Sequence, residues 1–206
     1  MEYKRRYYSV LTVPSPQDIE KGRTARINKY VWGGVYMPKA YFKAVFVKDD
    51  GFYIRLWAKE KDPKAVYKNY MDPVYKDSCL EFFASFGKEG YINCEVNSLG
   101  TLLSAFGASR EGRVPLIEAA GMLPDVKAEV LEDEWMVDIR ISLELIERVY
   151  GIKGIDTGFS FDANAYKCGD ECKIKHYGSY SPICTSEPDF HRPEFFARFT
   201  VVSESE

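Results

Sequence analysis

Apolar and polar residues alternate with a period of two along most of this chain, and runs with helical spacing are few. Residues 42–48 and 52–58 alternate on either side of Asp49-Asp50-Gly51, which predicts a β-hairpin around an Asp-Gly turn. A second hairpin is predicted from 79–86 and 91–97 around Gly87-Lys88-Glu89-Gly90, with a further strand over 99–106. Residues 126–131 and 135–142 flank Glu132-Asp133-Glu134 as another hairpin, and 159–166 and 195–202 are the last two strands. Helix signals stand at Ser15-Pro16-Gln17-Asp18, stopped by Gly22, and over 142–150, ended by Gly151; Asp62-Pro63 opens a short turn. Many short strands joined by turns predict an all-β fold, an antiparallel β-sandwich of jelly-roll or immunoglobulin-like kind with a few short helices. No repeat or linker divides the chain, which reads as one domain over 1–206 with a frayed tail at Ser203-Glu204-Ser205-Glu206.

Alternation also sorts side chains by face. Ile92, Cys94 and Val96 share an apolar face, opposite Tyr91, Asn93, Glu95 and Asn97. Phe159, Phe161, Ala163 and Ala165 oppose Ser160, Asp162, Asn164 and Tyr166. Glu81 points away from Leu80, Phe82, Ala84 and Phe86, and Tyr53, Arg55 and Trp57 point away from Phe52, Ile54, Leu56 and Ala58. A merely solvated face favours Thr, Lys, Arg and Glu, whereas Asn and Asp are depleted in strands. Asn and Asp in strand interiors beside Tyr and Trp predict a polar recognition surface. Its chemistry suits a sugar: amides donate and accept, carboxylates accept, guanidinium donates in a fork, and aromatic rings offer flat apolar platforms.

Composition narrows the function classes. The 206 residues are 46% hydrophobic and 29% charged, a globular balance with enough chain to bury a core. A net charge of −3 leaves no basic field, so nucleic acid is not the expected ligand. The start, Met1-Glu2-Tyr3-Lys4-Arg5-Arg6, is charged with no long apolar run after it, and no stretch is apolar enough to span a bilayer. The expectation is a cytoplasmic protein with no membrane partner. Tyrosine outnumbers phenylalanine, 15 to 13, which favours half-wet contact surfaces. Five cysteines with no export signal read as reduced thiols, Cys79 and Cys94 as small buried hydrophobes.

The run Tyr75-Lys76-Asp77-Ser78-Cys79-Leu80-Glu81-Phe82-Phe83 resembles the aromatic-x-x-Asp-Ser-Val-Glu strand of family 9 carbohydrate-binding modules, and Tyr91-Ile92-Asn93-Cys94-Glu95-Val96-Asn97 resembles the strand that follows it. Phe161-Asp162-Ala163-Asn164-Ala165-Tyr166, His176-Tyr177-Gly178-Ser179-Tyr180 and Pro188-Asp189-Phe190-His191-Arg192-Pro193 continue the resemblance, the last of them to a single-domain bacterial branch. The resemblance extends from about Val35 to Val202. It implies a β-sandwich that binds mono- or oligosaccharides at chain ends between two aromatic rings, in the service of carbohydrate catabolism. Some members hold calcium, the one cofactor the resemblance raises. On this sequence Tyr75 and Tyr180 stand for the two stacking rings, and Glu81, Asn97 and Asn164 for the hydroxyl-binding groups; Arg55, Trp57, Asn93 and Glu95 rank second. Tyr replaces Trp at both stacking positions, and Glu95 stands where the sugar-binding modules have Arg.

Several constellations compete with this reading. Cys168-x3-Cys172-x3-His176, with Cys184 and His191 downstream, offers soft ligands for zinc at an unusual spacing. Glu81 with Glu95 or Asp162 could form the carboxyl pair of a glycosidase. The aromatic face could instead bind a protein partner. His191 reads as a structural hydrogen-bonding group, Arg110 and Arg113 as solvated loop charges, and Asp49-Asp50-Gly51 as turn chemistry rather than a calcium loop. The reading favoured by the residues and the resemblance together is a non-catalytic carbohydrate-binding protein.

Overall fold

The alternating runs form the strands they predict, and the way those strands join differs from the expectation. The computed structural model describes residues 4–203. All but Ser203 of the expected frayed tail, and the first three residues of the charged N-terminus, lie outside the described residues. The strands are β1 (Tyr7–Val13), β2 (Ala25–Ile27), β3 (Lys39–Val47), β4 (Gly51–Lys59), β5 (Cys79–Ser85), β6 (Tyr91–Asn97), β7 (Leu102–Gly107), β8 (Val114–Pro115), β9 (Asp125–Val130), β10 (Trp135–Ser142), β11 (Ser160–Gly169), β12 (His176–Ser179) and β13 (Ala197–Val202). Two α-helices accompany them, α1 (Leu116–Ala120) and α2 (Leu143–Tyr150).

The three predicted hairpins are β3–β4, β5–β6 and β9–β10. In the first, Asp49 adopts φ 61° and Asp50 N–H donates to Val47 O at 3.2 Å. Gly51 is required there by close approach: a Cβ would stand 2.4 Å from Ile141 O on the neighbouring strand β10. Helix α2 begins where expected, with Ser142 Oγ accepting from Leu145 N–H at 3.1 Å, and ends at Gly151, whose φ of 67° suits glycine. The Ser15 cap opens a 3₁₀ turn over Pro16–Lys21 rather than a full helix, and Asp62-Pro63 forms only a bend. Strands β1, β2, β8 and β12 and helix α1 were not expected.

The architecture corrects the antiparallel sandwich. All thirteen strands belong to one mixed sheet, ordered β8-β7-β6-β5-β11-β13-β1-β3-β4-β10-β9, with β12 on β11 and β2 on β3. Strand β1 runs parallel to both β13 and β3, while every other strand pair is antiparallel. By pairing on both sides, β1 joins what would be two separate sheets into one that curls as a half-barrel. Its alternation holds only over Tyr8 and Val10 before Leu11 and Thr12 break it, so the pattern alone marks it weakly.

Curling brings the two arms of the sheet face to face over one apolar core. Phe52 of β4 meets Phe161 of β11 at 4.9 Å between ring centroids, and Phe42 of β3 meets Phe82 of β5 at 6.5 Å. Each such ring is fully buried, worth roughly 1.5–3 kcal/mol relative to exposure. The inner faces are the apolar faces that alternation assigned. Lys167 is the exception: it is buried on that side, with Nζ 3.3 Å from Glu60 Oε2 and 2.7 Å from His176 Nε2. No helix among the described residues is long and apolar enough to cross a membrane.

Candidate functional site, a roofed cavity on the outer face of β5, β6 and β11

The outer faces of β5, β6 and β11 carry Glu81, Asn93, Glu95, Asn97, Asn164 and Cys168, all buried. This polar face is neither solvated nor an open recognition surface, because long connections fold over it. The motif Asp77-Ser78 holds the first of them, residues 60–78. Asp77 Oδ2 accepts from Val66 N–H (2.8 Å), Tyr67 N–H (3.1 Å) and Asn97 Nδ2 (3.0 Å). Ser78 Oγ donates to Glu60 and accepts from Lys167 Nζ at 2.9 Å. Tyr75 stands on the 3₁₀ turn Val74–Lys76 that this anchoring presents to the sheet.

Under these loops lies a cavity of ≈ 320 Å³. Its floor is Glu81, Asn93, Glu95 and Cys168; its walls include Tyr75, Tyr177, Phe190 and Leu103; Arg110, Arg113, Asp170, Asp189 and His191 edge it. That volume lies at the small end of the range for ligand sites, about 300–1,000 Å³. Glu81 and Glu95 are direct cross-strand partners. Cys168 Sγ–H donates to Glu81 Oε1 at 2.8 Å, and Asn93 Nδ2 donates to Glu95 Oε1 at 2.9 Å. Arg113 donates from Nη2 (2.8 Å) and Nε (3.2 Å) to Asn93 Oδ1 and lies 4.1 Å above the Tyr91 ring. It also bonds the carbonyls of Tyr91, Ala105 and Ser109, so it is a built-in part of the floor rather than the solvated loop charge expected. Arg110 is exposed and stands 3.8 Å from Asp189.

Burial sets the protonation of this floor. It raises the Glu95 carboxyl to about 7, against the pull of the Asn93 amide and Arg113. It raises Glu81 well above the usual carboxylate range, and Cys168 and Glu95 beside it push the same way. Burial with Arg113 and Arg110 nearby lowers His191 to about 3, so its ring is neutral. His191 Nδ1 lies 2.8 Å from Tyr91 Oη and its Nε2 3.9 Å from Glu95 Oε1. The floor therefore presents Glu81 shifted toward its protonated form, Glu95 poised near neutrality, an amide held by the Arg113 guanidinium, and a neutral imidazole at the edge, a mixed set of hydrogen-bond donors and acceptors.

Of the nine predicted site residues, the cavity brings together four: Tyr75, Glu81, Asn93 and Glu95. The other five stand elsewhere. Asn97 pins the roof, donating to Tyr67 O (2.9 Å) and Asp77, and accepting from Leu99 and Thr101 N–H. Asn164 staples residue 181, with Oδ1 accepting from Ser181 N–H (2.8 Å) and Nδ2 donating to Ser181 O (3.1 Å). Tyr180 follows β12 and turns inward, where its hydroxyl donates to Tyr7 O (2.8 Å) and its ring meets Phe42 edge-on at 5.0 Å. Arg55 lies on the opposite arm of the sheet, bonded to Asp138 and Glu20. Trp57, on the same arm, stacks on Tyr41 at 5.3 Å.

Two aromatic wall residues, Tyr177 and Phe190, and the floor's Arg113 were not among those predicted. For Tyr177 the signal was register: it pairs with Cys168 and shares that residue's face, while Tyr180 lies beyond the strand. Phe190 is placed by tertiary stacking on Tyr166, 4.2 Å between centroids, which no local pattern announces. Asp162 lies outside the cavity, paired with Arg5 and with Arg198 (2.7 Å).

The zinc constellation does not converge. Cys184 is exposed, His176 turns to Lys167, and Cys168 turns to Glu81. Among the described residues the one three-membered group of metal-capable His, Cys, Asp or Glu side chains is Cys79, Glu81 and Cys168, whose two sulfurs do not suit calcium, an oxygen-binding cation.

No curated protein matches the chain. Among solved structures, a protein of Bacteroides uniformis with a proposed carbohydrate-binding role superposes with a TM-score of 0.80 at 24% identity, covering 96% of this chain and all of that one. A family 9 module of Caldicellulosiruptor kristjanssonii in complex with glucose gives 0.67 at 15%, covering 98% of each chain. A complex of such a module from the same organism with cellotriose gives 0.64 at 14%, covering 98% of this chain and 96% of that one. These likenesses concern the fold. The sequence model of carbohydrate-binding family 9 matches residues 12–201, nearly the whole chain, which therefore belongs to carbohydrate-binding family 9.

Proposed function

We propose that this protein binds the end of a mono- or oligosaccharide in the cavity over β5, β6 and β11, and does no covalent chemistry on it. The observation that carries the reading is the pairing of a buried amide-and-carboxyl floor with aromatic walls. Glu81, Asn93 and Glu95 would bond sugar hydroxyls, and Tyr75 with Phe190 or Tyr177 would cover the apolar faces of the ring. Arg113 supports a site of this kind by bringing a guanidinium to the floor where Glu95 replaces the expected Arg. The neighbouring structures with glucose and cellotriose name the first ligands to try.

A hydrolase reading has Glu95 in its favour, since a carboxyl near 7 suits a general acid. Hydrolysis, however, needs carboxyls flanking the scissile bond. Glu81 and Glu95 rise side by side from one sheet face and approach a ligand from the same side. Calorimetric titration with glucose and cellotriose, alongside a reducing-end assay, separates the readings. Binding heat without product, weakened at least tenfold by Tyr75→Ala and by Glu95→Gln but not by Trp57→Ala, is the expected result. No heat with any mono- or oligosaccharide would sink the proposal, and product lost on Glu81→Gln would replace it with the hydrolase.

A further inference from the structure

Beneath the cavity, one cluster shares Glu81 with the floor and offers a chemistry beyond hydroxyl recognition. Cys79 and Cys168 are direct cross-strand partners on β5 and β11, and Glu81 lies two residues beyond Cys79 on the same face. One ligand atom from each of the three lies within 4.8 Å of the others, and all three residues are buried. We propose that Cys79, Cys168 and Glu81 form a zinc site in the cavity floor, with its fourth position open to the cavity.

Four features support the assignment. The donor set is right: two sulfurs and one carboxylate oxygen suit a borderline-soft cation and exclude calcium and magnesium. Spacing agrees, since zinc with sulfur at about 2.3 Å and oxygen at about 2.0–2.2 Å holds tetrahedral neighbours about 3.6–3.8 Å apart. Small side-chain movements bring three atoms within 4.8 Å to that geometry, and Cys168 Sγ already touches Glu81 Oε1 at 2.8 Å. Access exists, because Glu81 and Cys168 line the cavity. Finally, three ligands with a fourth position facing a cavity match the open arrangement of zinc sites that take water or a ligand oxygen. This site differs from the Cys168, Cys172 and His176 constellation in the sequence, in which Cys168 turns to Glu81 while Cys172 and His176 lie together over Gly169. It uses one cysteine of that set and recruits two residues from β5, which only strand pairing brings near. Glu81 would give one carboxylate oxygen to the metal and leave the other for the cavity, and the metal site stands whichever sugar binds.

The test uses the reduced full chain without sugar. Titration with cobalt(II) should give a thiolate-to-metal charge-transfer band in the near ultraviolet that saturates at one equivalent and is bleached by zinc. Cys79→Ser and Cys168→Ser should each abolish the band, Glu81→Gln should weaken binding at least tenfold, and Cys94→Ser and Cys172→Ser should leave it unchanged. Should the serine variants misfold, as judged by circular dichroism, X-ray absorption of the zinc-loaded wild type decides. Two sulfurs near 2.3 Å with oxygen completing the shell supports the site. A band that survives loss of either cysteine, or a zinc shell without two sulfurs, overturns it. Sugar binding is read separately by calorimetry, so failure of one proposal leaves the other standing.

Discussion

The two arms of the curled sheet share an inner face and have opposite outer faces. On the β3-β4-β10-β9 arm the outer face is covered only at β3, where the 3₁₀ turn Pro16–Lys21 lays Ile19 against Val45 and Val47; over β4 and β10 it is half-exposed and carries paired charges. Arg55 forks to Asp138 at 2.7 and 2.8 Å, and Arg140 reaches Asp50 and Asp125. On the β7-β6-β5-β11 arm the outer face beneath the roof is buried, and its carboxyls Glu81 and Glu95 make no ion pair with an arginine or lysine among the described residues. Strand geometry does not account for the difference; the connections do. The β3–β4 and β9–β10 turns are short, whereas the 60–78 and 180–196 segments are long enough to fold back over β5, β6 and β11. A roof turns a solvated strand face into a cavity floor, and the same residue types then change from surface decoration to binding groups.

Breaking the shared inner face should cost most. Phe82→Ala should destabilise the protein by about 4 kcal/mol, and Leu56→Ala on the other arm by about 3 kcal/mol. Urea unfolding should show both as single transitions, because one core joins the arms. Two separated transitions in either variant would show that the arms unfold independently.

Next comes the roof. Asn164→Ala leaves the N–H and C=O of Ser181 buried without partners, a loss of about 3 kcal/mol at roughly 1–3 kcal/mol for each stranded group. A shift in the urea midpoint matching that loss is expected, and a change below 1 kcal/mol would mean that the loop finds other partners.

The floor should reveal itself through pH. Glu95 keeps its proton to about pH 7 in the folded chain and loses it near 4.5 when unfolded. Between those values the unfolded chain holds fewer protons, so stability falls as pH rises from about 4.5 to 7. Glu95→Gln removes that loss. It should match wild type at pH 4 and exceed it by about 3 kcal/mol at pH 8, at 1.36 kcal/mol per pKa unit between 4.5 and about 7. His176 and His191, lowered to about 4 and 3, act oppositely and remove stability as pH falls below about 6.5. Both proteins carry them, so the difference between melting curves isolates the carboxyl. Parallel pH profiles would show that Glu95 is solvated.

Smallest is the effect on the open face. Arg55→Ala should cost less than about 1 kcal/mol, and that cost should shrink in high salt, because its partners are solvated. A loss comparable to that of Asn164→Ala would erase the contrast between the two outer faces.

Local patterns in the chain were enough to place the strands of the three hairpins, the inward and outward faces along them and the capped helix α2, and its motifs were enough to indicate the family. These rest on local physics: a period of two, Asp-Gly turn chemistry, a serine cap and a left-handed glycine. The sequence also marked Glu81, Asn93 and Glu95 as unusual, because polar residues at those strand positions have to be used. Whether each was used for a ligand or for the protein's own backbone was a tertiary decision. Asn97, Asn164 and Asn93 carry the same amide and each bonds to the chain itself, Asn97 and Asn164 to loops, Asn93 to Ala105, Arg113 and Glu95; of the three, only Asn93 also borders the cavity. Arg55 and Trp57 show a correct outward face on the wrong arm, since alternation reports side and not neighbour. The parallel insertion of β1, the stacking of Phe190 on Tyr166 and the meeting of Cys79 with Cys168 join residues 24 to 191 positions apart. No local pattern encodes such distant pairings; they are fixed only when the sheet curls and its long connections close over one arm.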